Sequence, residues 1–127
     1  MRTIKFRAKN LDGEWVYGFY VEEERQTLNG FEKKHFIVND GYDYVKPDTV
    51  GQFTGLYDKD GKEIYEGDIM NNPTSKNVGV VQWNSILCQF QLSWQNMPTA
   101  ADIFFMVKDG SFVIGNIHDN PELLTNK

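Results

Sequence analysis

Val78-Gly79-Val80-Val81-Gln82-Trp83-Asn84-Ser85-Ile86-Leu87-Cys88-Gln89-Phe90-Gln91-Leu92-Ser93-Trp94 is the stretch whose reading decides the fold. Ile86, Cys88, Phe90, Leu92 and Trp94 share one parity; Ser85, Gln89, Gln91 and Ser93 share the other, broken only by Leu87. Side chains of a strand point alternately to its two faces. The alternation therefore predicts a strand over residues 86–94 with one face in a core and one in water. Residues 78–83 read as its partner and Asn84-Ser85 as a tight turn, so residues 78–94 form one predicted hairpin. On the apolar parity, Cys88 is expected to be inert packing.

The same grammar runs outward from this hairpin. Ile4, Phe6 and Ala8 alternate with Lys5, Arg7 and Lys9; Asp12-Gly13 follows, and Trp15, Tyr17, Phe19 and Val21 alternate on the return. Asp-Gly supplies the positive φ that tight hairpin turns demand. The charged run 22–26 reads as an exposed hairpin end or loop, and Lys33-Lys34 as a solvated turn. Short strands are expected at residues 35–38 and 49–53, with Asn39-Asp40-Gly41 turning after the first. Ile103-Phe104-Phe105-Met106-Val107 is apolar without alternation. Such a run is either a strand covered on both faces, between layers or against another subunit, or part of a helix over residues 100–107. Near the end, Asn120 suits an N-cap and Pro121 the first helical position, so a single turn should dock Leu123 and Leu124 on a sheet.

Composition narrows the class. The chain has 127 residues, 40% hydrophobic and 24% charged, which fits one globular domain. Aromatic residues reach 14%, and rings suit a pleated, half-buried surface, so the fold class is read as mainly β, built from antiparallel hairpins. A sub-division near residues 50–56 is allowed. The net charge of −5 disfavours non-specific binding to nucleic acid. The single cysteine forbids an intrachain disulfide. No apolar run approaches a membrane span, and the start lacks a signal-peptide core, so a cytoplasmic address is expected.

Reactive chemistry finds little support. Asp58, Asp60, Glu63, Glu66 and Asp68 invite a metal reading, but as a calcium loop from Asp58 the glycine and the closing glutamate are misplaced. The stretch 58–62 is expected to be a solvated turn. A magnesium-dependent enzyme on these carboxylates is the weakest of the functional readings. His35 and His118 have no second ligand at metal spacing. No catalytic residue, cofactor or metal site is therefore assigned. Tyr65-Glu66-Gly67-Asp68 turns into a strand, as small SH3-like barrels do, with Gly67 permitting the turn and Asp68 bonding back to turn amides. Such barrels bind through rim aromatics, which makes Tyr57, Tyr65 and Trp83 the candidate binding residues.

The chain also resembles a known family. Residues 4–8 (Ile-Lys-Phe-Arg-Ala), residues 53–69 from Phe53-Thr54-Gly55-Leu56-Tyr57 to Gly67-Asp68-Ile69, and residues 113–124 from Val113-Ile114-Gly115-Asn116 to Glu122-Leu123-Leu124 are similar to the YopX family. The resemblance implies a small soluble protein of bacteriophage or prophage origin, mostly β with an SH3-like part. It carries over no activity and no site residues. A non-enzymatic accessory protein acting by binding, as a homo-oligomer or on an unknown protein partner, is the expected function. A nucleic-acid-binding module using the SH3-like part is the alternative.

Overall fold

The computed structural model describes residues 3–124; the ends of the single-domain reading over 1–127 lie outside the described residues. Two antiparallel sheets make the protein mainly β, as expected. The chain divides between Phe53 and Thr54 into two compact units.

The first unit holds β1 (Phe6–Lys9), β2 (Trp15–Thr27), β3 (Gly30–Val38), β4 (Tyr42–Tyr44) and the start of β5 (Gly51–Tyr57). The β1–β2 turn forms at Asp12-Gly13 as predicted. Gly13 takes φ 84°, and the Asn10 Oδ1 accepts from the amides of Asp12 and Glu14 at 3.0 and 2.9 Å. Register Phe6↔Gly18 puts Val16 and Tyr20 on the same face as Ala8, so these pack with Ile37 and Val45 into the core. Tyr17 and Phe19, on the other parity, are exposed. After β4 the chain reaches back to the end of β1: Val45 donates to the His35 carbonyl at 2.9 Å, and Lys46 donates to the Lys9 carbonyl at 2.9 Å. On the opposite face of β1 the buried Arg7 sets its guanidinium 4.6 Å from the Trp15 ring centre.

Lys33-Lys34 is not a turn. Both sit in β3, opposite Glu24 and Glu23 of β2, because the β2–β3 ladder runs unbroken from Phe19↔Val38 to Thr27↔Gly30. The charged run 22–26 is likewise strand, the outer part of this long hairpin.

The second unit holds the end of β5, then β6 (Glu63–Tyr65), β7 (Asp68–Asn71), β8 (Val78–Asn84), β9 (Gln89–Trp94), β10 (Ala100–Asp102), a helix α1 (Ile103–Lys108), β11 (Phe112–Asn116) and a 3-10 turn (Pro121–Leu124). Its five-stranded sheet has the order β10-β9-β8-β7-β11. Ile64, Met70, Val81, Phe90, Leu92 and Ile103 form the core, with Trp94 and Met106 packed against it.

The 78–94 hairpin exists, but its turn is longer than expected. Register Asn84↔Gln89 leaves residues 85–88 as the loop. The Asn84 Oδ1 accepts from the amides of Ile86 and Leu87, both at 3.0 Å, and this holds the loop out of the ladder. Ile86 and Cys88 are therefore exposed rather than packed. The apolar parity is real only from Phe90 onward.

Of the two options for residues 103–107, the helix is realised. The Asp102 carboxylate caps it, accepting from the Phe104 amide at 2.8 Å. Helical geometry turns successive side chains apart, so Ile103 is buried while Phe104 and Phe105 stay exposed. The terminal turn forms over the expected residues, but the Asn120 side chain bonds back to the Asn116 amide at 3.2 Å rather than capping forward. Among the described residues no helix is long and apolar enough to cross a membrane.

Candidate functional site

Two carboxylates of the acidic stretch, Asp58 and Asp68, are bound to backbone amides. Asp58 is buried, not solvated as expected. Its Oδ1 accepts from the amides of Asp60 and Lys62, both at 2.9 Å, closing the β5–β6 turn. Its Oδ2 accepts from the Val113 amide at 3.1 Å, tying that turn to β11. Burial by itself pushes the Asp58 carboxyl up; the three amides and the Lys62 charge outweigh it and hold the group below the usual carboxylate range. Asp68 is buried as well, and accepts from the Tyr65 amide at 2.8 Å, the turn bond its position predicted. Gly67, between them, takes φ 92° and passes its amide to the Val81 carbonyl at 2.9 Å. Carboxylates spent on backbone amides have few lone pairs left for a ligand. Among the described residues no group of three or more His, Cys, Asp or Glu converges as a metal site would require.

The three candidate aromatics are placed differently. Tyr57 is 53% exposed and Trp83 is 45% exposed, the latter packing edge-on against Phe90 at 4.9 Å. Tyr65 is only 2% exposed and its hydroxyl donates to Glu63 at 3.0 Å. A ring so enclosed offers no face to a ligand.

A polar cluster lies in the first unit. The Tyr20 hydroxyl is 2.7 Å from the His35 Nδ1 and donates to Glu22 at 3.0 Å. Burial, the hydrogen bond to Glu22 and the charge of Glu22 push the Tyr20 hydroxyl up to about 12. His35 also lines a shallow groove of about 230 Å³ with Leu11, Lys33, Lys34, Tyr44 and Val45.

More prominent is what protrudes. Leu28 and Phe31 are exposed at the β2–β3 tip, Ile86 and Leu87 at the β8–β9 tip, and Phe104 and Phe105 on α1. Reading the sequence for alternation passed over the first pair, although Asn29-Gly30 between them is a hairpin-turn signal. Hairpin tips are ordinarily polar, so bulky apolar residues there are out of the ordinary.

The family model described as "YopX protein" matches residues 5–125, nearly the whole chain. The chain belongs to the YopX family. No curated protein matches it significantly. Among solved structures, this YopX chain is similar to "Crystal structure of protein EF1440 from Enterococcus faecalis". The identity is 25%, the likeness covers 98% of this chain and 100% of that one, and the TM-score is 0.56. The likeness thus extends through both units.

Proposed function

We propose that this YopX protein is a non-enzymatic accessory protein, encoded by a phage or prophage and resident in the bacterial cytoplasm, that works as a homo-oligomer by binding. The observation that supports this is the set of large apolar side chains held out at hairpin tips. Leu28 is fully exposed, Ile86 is 90% exposed and Phe31 is 72% exposed. Each such side chain left in water forgoes roughly 1.5–3 kcal/mol that burial against a partner would return. Light scattering at micromolar concentration tests the reading. The expected mass is a multiple of 14.7 kDa, and a monomer at every concentration would remove the oligomer.

Tyr57 and Trp83 favour a second reading, since exposed rings are stacking platforms for single-stranded nucleic acid. They would serve the SH3-like part of the second unit. Binding would then fall steeply with added salt, and its absence at about 50 mM salt would dismiss it.

A further inference from the structure

We infer that the outer half of the β2–β3 hairpin is a self-association arm that stacks, face to face and antiparallel, on the same arm of a second copy. This rests on the homo-oligomer reading above and names its contact. Beyond Glu22 and Lys34 both strands are exposed on both faces, so the ribbon stands clear of its own unit's core.

One face of the arm carries Glu23 and Arg25 on β2, directly opposite Lys34 and Glu32 on β3. Along each strand the signs alternate. Glu23 and Arg25 pair at 2.8 Å, as do Lys34 and Glu32, and all four side chains remain a third to a half exposed. A two-fold axis across the ribbon, midway between Glu23 and Arg25, sets Glu23 over Arg25 of the partner subunit and Lys34 over Glu32 of the partner subunit. Every acid then faces a base, so the mosaic is complementary to itself. A foreign partner would have to reproduce the same four-charge pattern.

The same operation brings the tip of one arm over the base of the other. On β2 it sets the tip, where the fully exposed Leu28 follows Thr27, over the stretch from Phe19 to Val21 of the other copy. There Phe19 and Tyr42 are exposed on the same face, in register through Val38. On β3 it sets Gly30 over the ring of Phe36, where a residue without a side chain leaves room. The shared face is about 30 Å long and 10 Å wide. That footprint is below the ~800 Å² per partner of a standard interface, so the contact is concentration-dependent rather than permanent.

Inverting the arm tests this. The variant Glu23→Lys/Arg25→Glu/Glu32→Lys/Lys34→Glu keeps every pair within the arm and every pair between like copies opposite in sign. It sets like charges together only when mixed with the wild type. Wild type and variant are each expected to associate, yet to sort from one another when differently tagged chains are mixed. Leu28→Glu, at a fully exposed tip, is expected to weaken association about tenfold without altering the melting of the monomer. Free mixing of the two charge types, or an unchanged dissociation midpoint for Leu28→Glu, in a protein that does oligomerise, would overturn the arm and leave the oligomer standing. A wild type that stays monomeric at about 1 mM would overturn both.

Discussion

The β2–β3 and β8–β9 hairpins are both antiparallel ladders in fixed register, and they are held by opposite means. In β8–β9 the ladder sits on Val81, Phe90 and Leu92, all in the core of the second unit. Its register is fixed because a one-residue slip would turn these side chains into water. Toward the β2–β3 tip there is no core. Register there is set by Glu23↔Lys34, Glu24↔Lys33 and Arg25↔Glu32, opposite charges facing across the strands. Exposed pairs of this kind contribute a fraction of a kcal/mol each, and a ribbon of two strands is marginal in isolation. Apolar burial thus builds a hairpin fixed within its own unit, while charge pairing builds one whose shape is defined but whose stability leaves room for a partner.

The sharpest way to break this contrast is in the second unit. Leu92→Ala removes a fully buried side chain from between β8 and the core and should cost about 3–4 kcal/mol, read as a fall in the urea midpoint. Asp58→Ala is expected to cost about 2 kcal/mol, since it leaves the amides of Asp60, Lys62 and Val113 without their acceptor in a buried turn.

The two units should also part company with pH. Asp58 sits below its ordinary value when folded. Its contribution is therefore present above about pH 4, where the unfolded group ionises, and is lost as pH falls through the lowered folded value. Tyr20 is raised, so its contribution is present below about pH 10 and is lost as pH rises through the folded value of about 12. Acid should loosen the second unit and alkali the first, each followed by amide signals of that unit. Asp58→Asn and Tyr20→Phe should flatten the respective limbs. The smallest effect belongs to the arm. Glu23→Ala or Lys34→Ala should change the stability of the dilute monomer by less than about 0.5 kcal/mol.

The sequence exposed a good part of this. Asp12-Gly13 announced the first hairpin, and the alternation at Phe90, Leu92 and Trp94 announced the second. The Gly67-Asp68 turn could be read from residue types alone, because the bond from the Tyr65 amide to Asp68 is local. The 85–88 loop escaped because one side chain, Asn84, captures two amides, and alternation carries no trace of that. The burial of Asp58 is not legible in the sequence because one of its partners, Val113, is 55 residues away. The charged run reads as a loose end because charge normally marks solvent, and only its register with Lys33, Lys34 and Glu32 shows it as strand. For the candidate aromatics, residue type suggested a shared role, but exposure separates Tyr57 and Trp83 from the enclosed Tyr65.

Amide hydrogen exchange, followed along the chain at several protein concentrations, tests the contrast most directly. The account predicts that β7, β8 and β9 are slow at every dilution, while the outer arm exchanges quickly when dilute and slows as concentration rises. An arm as protected as β8 in the dilute monomer, or one that stays fast when scattering shows an oligomer, would contradict it.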